Sequence, residues 1–125
     1  MATTEATANV HDRDGTAVIE LTGEVDRYAE QAVDSAYADV ASRGDGPVLL
    51  DFQKVDYINS TGIALIVGVL AKARADGRSV KACGLTDHYR EIFEITRLSD
   101  FMTIFPDEAS ALADSNHSQE GGTNG

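Results

Sequence analysis

The spacing of apolar residues changes several times along this chain, and each change marks an element. In TANVHDR and TAVIELTG, on either side of Asp14-Gly15, apolar and polar residues alternate. That pattern predicts a β-hairpin whose second strand turns Ala17, Ile19 and Leu21 to one face, with a weaker first arm. From Asp26 to about Ala41 the interval becomes helical and places Ala29, Val33, Ala36 and Val40 on one stripe. Asp26 suits a cap or first-turn acid there. SRGDGP ends the helix, and PVLLDF is a short, nearly continuous apolar run of the kind found at the centre of a sheet.

A second helix is predicted from near Ser60 to about Asp76, closed by Gly77. Ile63, Ile66, Val67 and Leu70 form its main stripe. Leu65 and Val69 fall away from that stripe by the 100° step, so either the helix is covered on two sides or a second stripe meets a partner. SVKAC supplies another strand. LTDHYREIFEITRL offers Thr86 or Asp87 as an N-cap and Tyr89, Ile92 and Phe93 as an inward face. DFMTIF reads as a last strand, and Pro106 opens a small helix in DEASALAD. Strands separated by helices imply parallel neighbours and right-handed crossovers. A single α/β or α+β domain follows, spanning 7–114, with residues 1–6 frayed and 115–125 disordered for lack of apolar periodicity.

Composition narrows the picture. With 42% apolar and 25% charged residues the centre of the chain should be globular. The longest apolar run, Gly62 to Ala71, stops at Lys72, short of the roughly 18 to 20 residues that span a bilayer. MATTEATANVHD has no basic segment leading into an apolar one, which argues against a secretory signal and for a soluble, cytoplasmic protein. Ten Lys+Arg against 21 Asp+Glu give a net charge of −11, which repels a phosphate backbone and suits either solubility or a partner with a basic face. The single cysteine, Cys83, reads as a buried strand residue.

The candidate chemistry lies in DYINSTG, directly after the central strand, where α/β folds gather their sites. Ser60 or Thr61 could cap the following helix, but no capping-box residue follows either one, and two adjacent hydroxyls exceed what one cap needs. The functional reading is an exposed hydroxyl open to phosphorylation. A phosphate there adds about −1.5 to −2 charges beside a helix N-terminus that tolerates them, close to Glu24, Asp26 and Asp56. A partner packed on that surface would have to desolvate or pair the anion. One alcohol thereby becomes a binding switch.

From about Val18 to Leu112 the chain resembles the STAS-domain anti-sigma factor antagonists of bacteria. The likeness rests on LTGEVD, DYINSTGIALIV, GLTDHYREIFEITRL with the strand after it, and DEASAL, in the expected order. The resemblance implies an α/β domain with a mixed sheet of four to five strands and packed α-helices. It also implies that the unphosphorylated protein binds an anti-sigma factor, a serine kinase with a GHKL-type ATP fold, and so releases a sigma factor. Phosphorylation by that kinase ends the association, and a PP2C-type phosphatase restores it. The family's loop is Asp-Ser-Ser-Gly; aligned with Asn59-Ser60-Thr61-Gly62 it makes Ser60 the acceptor and Thr61 the supporting hydroxyl. Asn59 departs from the pattern by losing a charge while keeping the hydrogen-bonding shape. Glu24, Asp26, Asp56, Leu65 and Val69 join the loop as the expected partner surface. A weak homodimer fits the resemblance; direct nucleic-acid binding, membrane binding, a metal and a cofactor are not expected.

Catalysis by the chain itself is not expected either. His11, His88 and His117 are dispersed, and no GxSxG elbow, Walker sequence or dinucleotide-binding glycine pattern occurs. The remaining rival is a STAS adaptor or scaffold in another kinase/phosphatase complex, without sigma-factor control.

Overall fold

The computed structural model describes residues 5–114; residues 1–4 of the expected frayed start and the expected tail at 115–125 lie outside the described residues. A hairpin opens the domain. β1 (Thr7–Arg13) pairs antiparallel with β2 (Thr16–Val25) across Asp14-Gly15, both at positive φ. Helices and strands then alternate: α1 (Glu30–Ser42), β3 (Val48–Ile58), α2 (Ser60–Ala75), β4 (Val80–Cys83), α3 (Asp87–Ile95) and β5 (Thr103–Phe105). A final helix, α4, covers residues 108–114. The five strands lie in sequence order, and every pair after the hairpin is parallel, so this is an α/β domain on a mixed sheet. Residues 5 and 6, expected to fray, are drawn onto it: Glu5 bridges Glu24 and Ala6 packs on the core.

One face of the sheet carries the main core. Ala17, Ile19 and Leu21 of β2, Leu50 and Phe52 of β3 and Ala82 of β4 meet Val33, Ala36 and Val40 of α1, the inner arc of α2 and Phe93 of α3. The expected inward stripes of β2 and α1 are therefore the observed ones. The ring of Phe93 meets Phe52 edge-on at 5.7 Å. The other face is closed by α4, where Ala111 and Leu112 pack with Val18, Leu49 and Cys83. Burial on both faces explains why VLL reads as continuously apolar.

Besides the shortening of the DFMTIF strand to Thr103–Phe105 and the start of the first helix at Glu30, after a 3-10 turn, rather than at Asp26, two elements differ from their expected form. β3 does not stop at Phe52 but continues to Ile58. Its outer half trades apolar residues for Gln53, Lys54, Asp56 and Tyr57, and its pairing with β2 passes through two register shifts, so neither a continuous apolar run nor a clean alternation marks it. The second difference is the face of α2. Ile66, Val69, Leu70 and Ala73 are buried while Val67 is exposed, so the inward arc is turned from the expected Ile63-Ile66-Val67-Leu70 stripe. The helix is apolar nearly all round, and only its contacts with the sheet and α1 select the buried arc.

The ends of the elements are tied by polar groups. Gly77, at φ +75, lets α2 close in a Schellman turn, with Arg78 N–H donating to Ala73 O (2.8 Å) and Gly77 N–H to Arg74 O (3.0 Å). Arg78 is buried and donates to the carbonyls of Val40, Gly44 and Gly46, which holds the loop between α1 and β3. Buried Lys81 donates to Ala111 O (3.3 Å) in α4, and its burial lowers its pKa.

Candidate functional site

β2 and β3 run out together at the carboxyl edge of the sheet, Glu24 opposite Tyr57 and Val25 opposite Ile58. The chain then turns into α2. Asn59 N–H donates to Val25 O (3.3 Å), and Asn59 Oδ1 accepts from Gly62 N–H (2.8 Å). On the other side of the turn, Ile58 N–H donates to Tyr89 Oη (3.0 Å), joining α3 to the end of β3.

These bonds decide against the alternative in which Ser60 or Thr61 caps α2. Asn59 is the cap, because its short amide reaches the free N–H of Gly62 from an extended backbone. Ser60 and Thr61 are instead the first two helical residues. Both are exposed, and neither hydroxyl makes a side-chain hydrogen bond among the described residues. Gly62 is buried and sits against β2: a Cβ there would collide with the Val25 carbonyl and press on Ile58. The absence of a side chain lets the helix start this close to the strand ends.

The acids arrive from three positions. Glu24 is half-buried at the end of β2, Asp56 is exposed on β3, and Asp26 accepts from Tyr28 N–H (2.9 Å) to cap the short 3-10 turn Arg27–Ala29 before α1. The loop residues Asn59, Ser60, Thr61 and Gly62 and these acids therefore share the carboxyl edge of β2 and β3. The expected helix contacts do not all join them. Val69 is 3% exposed and belongs to the core, where the sheet side of α2 covers it, so it is unavailable to a partner of the folded domain. Leu65 is half-buried against the same core.

Sequence reasoning passes over the aromatics beside the loop. Tyr28 is 73% and Tyr57 51% exposed, and the Arg27 guanidinium stacks 4.8 Å from the Tyr28 ring centroid while donating to Tyr28 Oη (2.7 Å). Their signal lies in DRY and DYIN, where a tyrosine closely follows an acid outside the apolar period.

Among the described residues no side chain hydrogen-bonds the Ser60 hydroxyl. His11 lies 3.7 Å from Glu20, and His88 stands edge-on to Tyr89; neither hydrogen-bonds Ser60. Among the described residues, no group of three or more His, Cys, Asp or Glu side chains could hold a metal, and no helix is long and apolar enough to cross a membrane. Burial, with Asp51 beside it, pushes the Cys83 thiol up to about 12, which keeps it protonated and unreactive. What the arrangement presents is an exposed hydroxyl at the first turn of α2.

Comparison with known proteins agrees with this geometry. The family described as "Mlab, STAS domain" matches residues 8–105. BtrV of Bordetella bronchiseptica is 32% identical over 93 residues, 74% of this chain and 78% of that protein. The crystal structure of an anti-sigma factor antagonist from Mycobacterium paratuberculosis superposes with a TM-score of 0.74 at 22% identity, covering 90% of this chain and 95% of that one. The Bacillus cell fate determinant SpoIIAA in its phosphorylated form does so with a TM-score of 0.65 at 19% identity, covering 86% and 97%. The matched span holds all of the sheet but its first residue, the hydroxyl loop and α1 to α3, and the chain belongs to the STAS-domain family of anti-sigma factor antagonists, regulatory domains rather than enzymes.

Proposed function

We propose that this chain is an anti-sigma factor antagonist switched by phosphorylation of Ser60. In its unphosphorylated form it binds an anti-sigma factor serine kinase of GHKL type and thereby releases a sigma factor; the kinase's transfer of phosphate to Ser60 ends the association, and a PP2C-type phosphatase reverses it. The single observation that carries this reading is that Asn59 takes over the capping role and leaves the Ser60 hydroxyl exposed at the first position of α2. The phosphorylated form of SpoIIAA, a structural neighbour, lends it support.

The physical logic is electrostatic. The free N–H groups of the first turn favour an anion, so the phosphorylated domain keeps its fold. The partner-facing surface changes instead: about −1.5 to −2 charges appear beside Glu24, Asp26 and Asp56, where a docked partner would exclude water. The exposed Tyr28 and Tyr57, on the elements that lead into this edge, supply apolar contact area, and aromatic residues of this kind anchor protein interfaces. Thr61 and Leu65 border the same surface.

The test pairs phosphopeptide mapping with binding. After incubation with the cognate kinase and ATP, phosphate is expected on Ser60. Ser60→Ala is expected to bind without being modified, and Ser60→Asp to bind about tenfold more weakly. Phosphate mapped to another residue rejects the site. The adaptor reading has one finding in its favour, since the matching family is described through Mlab and not through an antagonist. Capture of a kinase that controls no sigma factor would decide for it.

A further inference from the structure

Away from the hydroxyl loop, between the C-terminal half of α2 and the segment leading into β5, the surface sinks into an open groove of about 960 Å³. That is within the size range of small-molecule sites. Val67 and Leu70 line one side and Phe101 and Met102 the other; Val67 is 45% and Phe101 55% exposed, although both are apolar. Two guanidinium groups, those of Arg74 and Arg78, also line it.

Charge marks these two arginines out. The chain carries 21 Asp+Glu against 10 Lys+Arg, and most of its cations lie within ion-pair distance of a carboxylate. Among the described residues Arg74 and Arg78 have no such partner, nor does Arg27, which stacks on Tyr28 elsewhere on the surface. Arg74 lies 5.6 Å from the Phe101 ring centroid, a contact that leaves its N–H groups available. Arg78 is 8% exposed; its terminal nitrogens donate to neutral carbonyls, and its buried Nε has no acceptor. The carboxylate that lines the groove, Asp100, is 3.5 Å from Arg97. With its terminal nitrogens engaged and its Nε buried, Arg78 supplies positive charge at the groove wall, and the exposed Arg74 presents the open N–H groups.

We propose that this groove binds a small organic anion with an apolar body and a carboxylate head. The body lies against Val67, Leu70, Phe101 and Met102, and the planar carboxylate faces the Arg74 guanidinium, whose fork geometry matches it, with the Arg78 charge behind the groove wall. This binding is independent of the role of Ser60.

The probe is octanoate, titrated into the full-length ¹⁵N-labelled chain and followed by amide chemical shifts, with 1-octanol as the uncharged control and inorganic phosphate as the anion without an apolar body. Saturable shifts are expected at Val67, Arg74, Ser79 and Phe101 with octanoate, about tenfold weaker binding of octanol, and no comparable response to phosphate. Arg74→Gln, an exposed change that leaves the core intact, is expected to weaken octanoate about tenfold and leave octanol unchanged. Equal affinity for octanoate and octanol, indifference to Arg74→Gln, or shifts confined to another region would overturn the assignment. Shifts of the same amides on raising protein concentration alone would mark the groove as a self-association surface and overturn it as well.

Discussion

The close approach of α2 to the strand ends makes opposite predictions for two glycines of one helix. Gly62→Ala puts a methyl group into the Val25 carbonyl, and that carbonyl is held by Asn59 N–H, so the first turn of α2 must move outward. Overpacking of this kind costs about 1–3 kcal/mol, and weakening the Asn59 cap adds about 1 kcal/mol, against a gain of about 1 kcal/mol from replacing glycine in a helix. The net loss is about 2 kcal/mol. Gly68→Ala meets nothing within 4 Å and keeps only the favourable part, a gain of about 0.5–1 kcal/mol. Urea unfolding followed by far-ultraviolet circular dichroism reads both. With a slope of about 1–3 kcal/mol per molar urea, Gly62→Ala should lower the midpoint by about 1 M and Gly68→Ala should raise it slightly. A parent-like midpoint for Gly62→Ala, or equal losses at both positions, would refute the packing argument.

Other substitutions test the remaining polar contacts. Asn59→Ala removes the cap and should cost about 1 kcal/mol, whereas Asn59→Asp keeps the acceptor and adds a favourable charge at the helix start; thermal melts should rank Asp at or above Asn and Ala lowest. Tyr37 donates to Asp76 (2.6 Å), and burial, with that carboxylate second, pushes its pKa up to about 12 from 10. The folded state therefore holds this proton more tightly than the unfolded one, so the stabilisation is complete below about pH 10 and is lost as pH rises toward 12. Tyr37→Phe should remove that part of the alkaline loss, seen as a shallower fall of the urea midpoint between pH 10 and 12; an unchanged fall would contradict it. Cys83, buried and held protonated, should react with a thiol reagent only on unfolding, and prompt labelling of the native chain near neutral pH would be the contrary result.

Much of the site is legible along the chain because its parts are local. A strand, a polar loop and a helix in direct succession place Ser60 at a helix start whatever else the domain does, and by the same logic Glu24 lies at the end of β2 and Asp26 just after it. The capping residue is not identified from sequence because Asn59, Ser60 and Thr61 are all competent caps. Their ranking depends on backbone angles at the turn, which the Asn59 bond to Val25 sets from a strand distant in sequence. The exposed Tyr28 and Tyr57 escape notice because a tyrosine is compatible with either core or surface.

Side-chain period and turn chemistry act within a few residues, and they are enough to order the strands and helices, to set the inward stripes of β2 and α1, and to place the hydroxyls. Packing between distant segments chose the rest: which side of α2 is buried, that Val69 belongs to the core and Val67 to the groove, and that Arg74 and Arg78 line one surface. A helix apolar on nearly every side carries no local signal to choose among its faces, so that choice falls to the sheet and helices it meets.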